Sequence, residues 1–265
     1  MTWIRATYGP LAMATALAVA ALIPNPWLAA AACTAVAVAL IRPWRHNLGL
    51  TGGIRPFLIG LAVPLAGATL LFTLGTLTGW LTWGPIDTPQ LLRFLITNTA
   101  IAVLLEAFPE ELTLRGHTYT TLRHTRPWIA AAVTTALFLT VPALSSVIQW
   151  ALTLGTHNPT LVPPGEDPVS YLILLTIFGL TLITARNATG SLWTSIGTHL
   201  MFLTINRITL YGEDRNAGWS MRLDTPDAIL LIPAYLLLTA MIFHLTRHRR
   251  IATSCNRPVL QAKTR

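Results

Sequence analysis

Most of this chain consists of apolar runs that are each long enough to cross a lipid bilayer. A transmembrane helix needs about 20 mostly apolar residues, because the hydrocarbon core is about 30 Å thick and a helix rises about 1.5 Å per residue. Eight such runs follow one another, at residues 8–23, 27–42, 57–79, 90–108, 128–151, 168–185, 191–210 and 227–245. They predict an all-α fold, a polytopic transmembrane bundle of about eight helices.

The low charge content supports the same fold class. Only 11% of the residues are charged, against about 25% in soluble domains, so an ordinary soluble globule is excluded. We predict one transmembrane domain over residues 1–246, followed by a basic cytoplasmic tail at 247–265.

Basic and acidic connections alternate along the chain. With both termini in the cytoplasm and eight crossings, 14 of the 18 Lys and Arg residues lie inside and the loop carboxylates lie outside. This asymmetry is the positive-inside pattern of membrane proteins. It accounts for the net charge of +8 without a nucleic-acid partner. We predict a multi-pass integral protein of a bacterial plasma membrane with the lipid bilayer as its surroundings, and the oligomeric state stays open.

A cluster of charged residues interrupts the fourth apolar run. Charged groups at membrane depth usually face a protein interior or a wet cavity. At about 100° per residue of an α-helix, Glu106, Glu110 and His117 fall on one face. Glu111 and Arg115 lie four residues apart on another face, in the orientation that favours an ion pair. We therefore expect Arg115 to neutralise Glu111, and Glu110 to point with Glu106 into a cavity.

The residue before Glu110 is a proline. Pro109 has no backbone N–H, so it is expected to bend the helix and free carbonyl groups beside the carboxylate. A buried carboxylate next to another can accept and return a proton. The competing interpretation is that Glu110 and Glu111 mark the cytoplasmic end of the helix.

A histidine lies at a similar depth in the seventh run. Gly190-Ser191-Leu192-Trp193 opens that run, and His199 lies about two turns farther in. A lone helical histidine is more often a packing residue than a ligand. One that lies level with buried carboxylates suits proton transfer or metal binding.

These motifs resemble those of a known family. Residues 110–116, Glu-Glu-Leu-Thr-Leu-Arg-Gly, resemble the Glu-Glu-x-x-x-Arg-Gly motif of the CAAX-protease and bacteriocin-processing (CPBP, Abi) family of intramembrane proteases, which includes type II CAAX prenyl endopeptidases. Residues 190–193 running to His199 resemble the last motif of that family. The Asn-Leu-Gly-Leu of residues 47–50 also agrees, and the similarity spans about 40–210.

The resemblance implies hydrolysis of a peptide bond in a membrane-associated peptide or protein, prenylated substrates included. It makes Glu110 the general base that activates a water and His199 a ligand or proton partner, while Glu111 and Arg115 hold the helix. A divalent metal such as zinc is compatible with Glu110 and His199 as ligands and is not required. Catalytic zinc usually has three protein ligands, and His117 is a weak candidate for the third.

Two positions depart from the family pattern. The middle motif, Phe-x-x-x-His, begins at Phe138 and places Pro142 where the histidine belongs. The last motif, His-x-x-x-Asn, places Leu203 where the oxyanion-stabilising asparagine belongs. Asn206 lies on the same face one turn deeper and is a weak substitute.

The departures leave three functions open. The first is an active membrane endopeptidase. The second is a catalytically degenerate member that acts as a peptide-binding or immunity-type membrane protein. The third is a proton-coupled transporter that uses Glu106 and Glu110 as a relay.

Overall fold

The structure is a computed structural model that describes residues 2–43, 48–156, 158–162, 165 and 167–255. Asn47 of the family-like motif lies outside the described residues. So does the predicted tail from residue 256 onward, while the last helix is described through the predicted boundary at 246 to Cys255.

The eight predicted apolar runs all form helices in the described residues, which confirms the predicted helical bundle. Some of the helices contain short π-helical or 3₁₀ segments. In chain order the elements are α1 (Thr2–Ala6), α2 (Tyr8–Ala21), α3 (Pro26–Ile41), α4 (Ile54–Leu77), β1 (Leu81–Trp83), α5 (Thr88–Ala102), π1 (Val103–Ala107), α6 (Phe108–Glu110), π2 (Glu111–Thr118), α7 (Tyr119–Leu122), α8 (Pro127–Leu139), α9 (Val141–Leu152), α10 (Pro168–Thr189), α11 (Leu192–Thr209), β2 (Met221–Leu223), a 3₁₀ turn (Pro226–Leu230) and α12 (Leu231–Cys255).

Six helices in the described residues are long and apolar enough to cross a membrane, which supports an integral membrane protein. They are Trp3–Ala21, Ile54–Leu77, Thr88–Leu122, Pro127–Leu152, Pro168–Thr189 and Pro226–Arg247. The remaining two predicted runs are also helical. Helix α3 is apolar but shorter, with 16 residues, and α11 carries the polar side chains of the candidate site.

Short polar side chains begin several of these helices. Asn25, Asp87, Asp167 and Ser191 precede α3, α5, α10 and α11, and each accepts a hydrogen bond from a backbone N–H of the first turn. Such N-caps satisfy donors that have no partner within the helix. The start of α11, and with it the depth of His199, is therefore set by Ser191.

Helices α4 and α11 pack with their backbones in contact. A Cβ added at Gly60 would lie 2.2 Å from the Thr194 carbonyl oxygen, and one added at Gly197 would lie 2.4 Å from the Phe57 carbonyl oxygen. Small residues allow such close approach of membrane helices. The two glycines therefore fix the position of α11 two residues before His199.

A small antiparallel sheet joins the connections that follow α4 and α11. Strand β1 pairs with β2 so that Leu81 lies opposite Leu223. The ring of Trp83 stacks on that of Trp219, with centroids 4.4 Å apart. The sheet ties α11 to the loop before the helix that carries the glutamates.

Candidate active site

The glutamates lie on a helix that is not regularly α-helical. Within Thr88–Leu122, the N–H of Phe108 donates to the carbonyl of Val103, and the N–H of Tyr119 donates to the carbonyl of Leu114. These bonds span five residues and define π1 and π2, and such π segments often occur at functional sites. The angular positions expected for a regular α-helix therefore do not hold beyond Ala102.

Glu111 and Arg115 form the predicted ion pair. Arg115 Nη1 lies 3.2 Å from Glu111 Oε1, and both side chains are completely buried. The guanidinium carbon of Arg115 lies 4.5 Å from the centroid of the Phe138 ring. A charge buried this deeply needs its partner, so each residue of the pair depends on the other.

His199 brings the two adjacent glutamates together. Its Nδ1 lies 3.1 Å from Glu111 Oε1, and its Nε2 lies 3.9 Å from Glu110 Oε2. The prediction that Glu111 pairs only within its own helix did not include this contact, because the histidine comes from a distant part of the chain. Glu111 lies on the Nδ1 side of the imidazole and Glu110 on the Nε2 side.

The hydrogen bond to Glu111 orients the His199 ring. An ionised carboxylate can only accept a hydrogen bond, so pairing of Glu111 with Arg115 favours a proton on Nδ1 and leaves Nε2 as the acceptor towards Glu110. The edge of the imidazole also contacts Phe178, with centroids 4.9 Å apart. The side chain of Glu110 is 13% exposed, whereas that of Glu111 is fully buried. Of the two glutamates, Glu110 is the one that an incoming molecule can reach.

Glu106 has a basic partner that the prediction of a cavity shared with Glu110 did not include. Its Oε1 accepts a hydrogen bond from Nη2 of Arg207 on α11, whose Nη1 also donates to Asn98 Oδ1 at 3.0 Å. The sequence contained a signal for this pair, because charges within apolar runs usually pair with each other.

Arg207 also affects a residue in the loop after α11. Burial lowers the pKa of Arg215, and the positive charge of the nearby Arg207 lowers it further.

His117 lies away from the candidate ligands, at the contact with the N-terminal helices. Its Nε2 lies 3.0 Å from the carbonyl oxygen of Arg5, and its ring contacts that of Tyr8 edge to face. Among the residues that the structure describes, no three His, Cys, Asp or Glu side chains are grouped to hold a metal. The structure therefore gives His117 no support as a third ligand, and Glu110 with His199 falls short of the usual three-ligand set for catalytic zinc.

The two departures from the family pattern lie in different surroundings. Pro142 lies in the first turn of α9, directly after the interruption at Thr140 that separates α8 from α9. Leu203 packs against buried apolar residues of the core. Asn206 accepts a hydrogen bond from the Tyr235 hydroxyl at 3.5 Å, and its buried Nδ2 has no hydrogen-bond partner among the residues that the structure describes.

Arg186 connects the family-like segments, which the sequence did not reveal. It is buried, and its Nη2 donates to the Thr120 hydroxyl at 2.7 Å and to the Leu48 carbonyl at 3.3 Å. The neighbouring Gly49 carbonyl accepts the N–H of Leu192 at 2.8 Å. The segment before α4 therefore packs against the start of α11.

A profile of the family described as "Type II CAAX prenyl endopeptidase Rce1-like" matches residues 92–205. The matched range contains Glu110, Glu111, Arg115 and His199, and it confirms the resemblance seen in the motifs. It begins after α4 and ends one residue before Asn206. No curated protein and no solved structure matches the chain.

Proposed function

We propose, from the Rce1-like match at residues 92–205, that this chain is an intramembrane endopeptidase that cleaves a membrane-associated peptide or protein, prenylated substrates included. One observation carries the proposal: the reachable carboxylate of Glu110 lies 3.9 Å from Nε2 of His199, while Arg115 neutralises Glu111. The proposal includes a single domain over residues 1–246, both termini in the cytoplasm, and a bacterial plasma membrane.

In the proposed reaction Glu110 acts as the general base. The 3.9 Å separation exceeds a hydrogen bond, yet it allows one water to contact both Glu110 Oε2 and His199 Nε2. Glu110 takes a proton from this water, and the oxygen of the water attacks the carbonyl carbon of the peptide bond. The tetrahedral intermediate collapses, the C–N bond breaks, and Glu110 returns the proton to the leaving nitrogen. The products are one carboxylic acid and one amine.

His199 assists by holding and polarising the water. Glu111 fixes the imidazole through Nδ1, as a carboxylate commonly does for a functional histidine, and Arg115 keeps Glu111 ionised. Asn206 is the weak candidate for the donor to the oxyanion, because its Nδ2 has no hydrogen-bond partner in the described part of the chain. The two-ligand set fits no standard zinc site, so no step of this scheme uses a metal.

A second function is favoured by a specific observation. Pro142 and Leu203 replace the two side chains that the family pattern provides at those motif positions. A chain with these losses would bind a membrane peptide without cleaving it. The transporter hypothesis has less support, because Arg207 engages the Glu106 carboxylate that a relay would need.

The test uses purified full-length protein in liposomes with a library of farnesylated and unmodified membrane peptides. Glu110→Gln should reduce cleavage by about 10²–10⁴-fold, the usual contribution of a general base. Glu213→Gln, an exposed glutamate in the loop after α11, is the matched control and should cleave like the wild type. Equal cleavage by Glu110→Gln would refute the assigned base. Peptide binding without cleavage by the wild type would favour the binding protein.

A further inference from the structure

Two side chains of α3 donate hydrogen bonds to the main chain of π1. Cys33 Sγ lies 3.2 Å from the carbonyl oxygen of Leu105, and Thr34 Oγ1 donates to the carbonyl of Leu104. Consecutive residues of one helix thus meet consecutive carbonyls of the other. These contacts between side chain and main chain join segments that are 72 and 70 residues apart in sequence.

Pro109 explains why these carbonyls are available. In the π-helical pattern, in which Phe108 donates to Val103, the next N–H would belong to residue 109 and would reach Leu104. In an α-helical pattern the same N–H would reach Leu105. Proline has no N–H, and a backbone carbonyl left without a donor in a membrane is strongly unfavourable. A donor from α3 therefore replaces the one hydrogen bond that Pro109 cannot make, namely Thr34 at Leu104 in the π-helical pattern and Cys33 at Leu105 in the α-helical pattern.

The replaced hydrogen bonds lie directly beside the candidate base. Glu110 follows Pro109 in sequence, and α3 packs against π1, α6 and π2. Cys33 is completely buried. A shift of the backbone at Leu105 would therefore move Glu110 relative to His199.

We propose that Cys33 and Thr34 are positioning residues that hold the bent backbone on which Glu110 approaches His199. Neither residue touches the substrate, and the inference rests on the proposed role of Glu110. A buried cysteine that only fills space would behave differently, because alanine and serine would then be similarly tolerated. If the thiol acts as a hydrogen-bond donor, serine should take over its role, because a hydroxyl can also donate. Alanine has no donor and should not.

Cleavage kinetics of Cys33→Ala and Cys33→Ser provide the first test. We expect Cys33→Ala to lower kcat about tenfold with little change in KM, since small misplacements of a reacting group slow chemistry more than binding. Cys33→Ser should stay within about twofold of the wild type. Cys255→Ala, at the other cysteine, is the matched control and should have no effect. Equal kcat for the alanine and serine variants would overturn the proposal.

A double-mutant cycle tests the link to Pro109. The Pro109→Ala substitution restores a backbone N–H that can reach Leu104 or Leu105. The cost of Cys33→Ala in kcat should therefore be smaller in a Pro109→Ala background than in the wild type. Contacting residues typically show such non-additivity, whereas independent sites add. Strictly additive effects would show that Cys33 does not compensate for the proline.

A third measurement does not depend on cleavage. The ¹⁵N resonance of His199 Nε2, assigned by its loss in His199→Gln, reports the approach of Glu110. Cys33→Ala should shift this resonance and Cys33→Ser should not. An unmoved resonance in Cys33→Ala would overturn the positioning role even in a protein that cleaves nothing. Absence of wild-type cleavage with a shifted resonance would reject the endopeptidase and keep the positioning role.

Discussion

Replacing Arg115 with methionine tests how strongly the site depends on its buried ion pair. The pair is 3.2 Å long and both side chains are fully buried. The other carboxylate oxygen of Glu111, Oε2, has no hydrogen-bond partner among the described residues. Methionine keeps most of the length and the contact with Phe138 but removes the charge. Arg115→Met therefore leaves the Glu111 carboxylate buried without a cation.

Loss of one partner of a buried pair costs about 3–5 kcal/mol, which is a factor of roughly 10²–10⁴ in the ratio of folded to unfolded protein. We expect this loss in the free energy of unfolding, measured by denaturant titration in mixed micelles. The double variant Glu111→Gln/Arg115→Met removes both charges and should recover most of the stability, because no buried charge is left alone.

An exposed ion pair of nearly the same length serves as the control. Arg222 Nε lies 3.1 Å from Asp224 Oδ1, but the arginine side chain is 80% exposed. Arg222→Met should therefore change the free energy of unfolding by only about 0–1 kcal/mol. The reasoning fails if Arg115→Met costs no more than Arg222→Met, because burial would then not determine the contribution of the pair.

Two further predictions follow from contacts around the site. Arg207→Met should lower the thermal midpoint by leaving Glu106 without its cation, and Glu106→Gln in the same protein should restore most of the loss. This pair is partly exposed, at 13% and 24%. The thermal midpoint should therefore fall less in Arg207→Met than in Arg115→Met measured in the same way, and an equal or larger fall would contradict the smaller contribution expected from a partly exposed pair. Gly197→Ala should cost about 1–3 kcal/mol in the free energy of unfolding, since its Cβ would overlap the Phe57 carbonyl. Unchanged stability would show that α4 and α11 are not in backbone contact.

The features that depend on local sequence could be predicted, and those that depend on distant residues could not. Helix lengths follow from apolar runs, and the Glu111–Arg115 pair follows from a spacing of four residues. The π segments could not be predicted, because Pro109 only removes an N–H and the replacement donors come from Cys33 and Thr34 on another helix.

Glu106 shows the same limit. Its partner Arg207 lies 101 residues away in sequence, so no pattern along one helix identifies the pair. The sequence could indicate that a charge in an apolar run needs a partner. Which basic residue supplies it depends on how α11 packs beside π1.

In the part of the chain that the structure describes, Glu106 and Glu111 each pair with an arginine, and Glu110, which lies between them in sequence, does not. Arg207 neutralises Glu106 and Arg115 neutralises Glu111. Glu110, in the described part of the chain, has no guanidinium within salt-bridge distance and faces only the His199 imidazole. Burying a carboxylate without a cation costs free energy, and proteins commonly keep such destabilising groups where function needs them.

Glu110→Gln should therefore leave the free energy of unfolding unchanged or raise it, while it reduces cleavage by about 10²–10⁴-fold. Glu111→Gln should lower the free energy of unfolding, because it leaves the buried Arg115 guanidinium without a negatively charged partner. The two adjacent glutamates thus provide a pair of variants in which Glu111 has a guanidinium partner and Glu110 has none within salt-bridge distance among the described residues. If Glu110→Gln destabilises the protein as much as Glu111→Gln, then Glu110 is a structural residue and cannot be assigned as the base on these grounds.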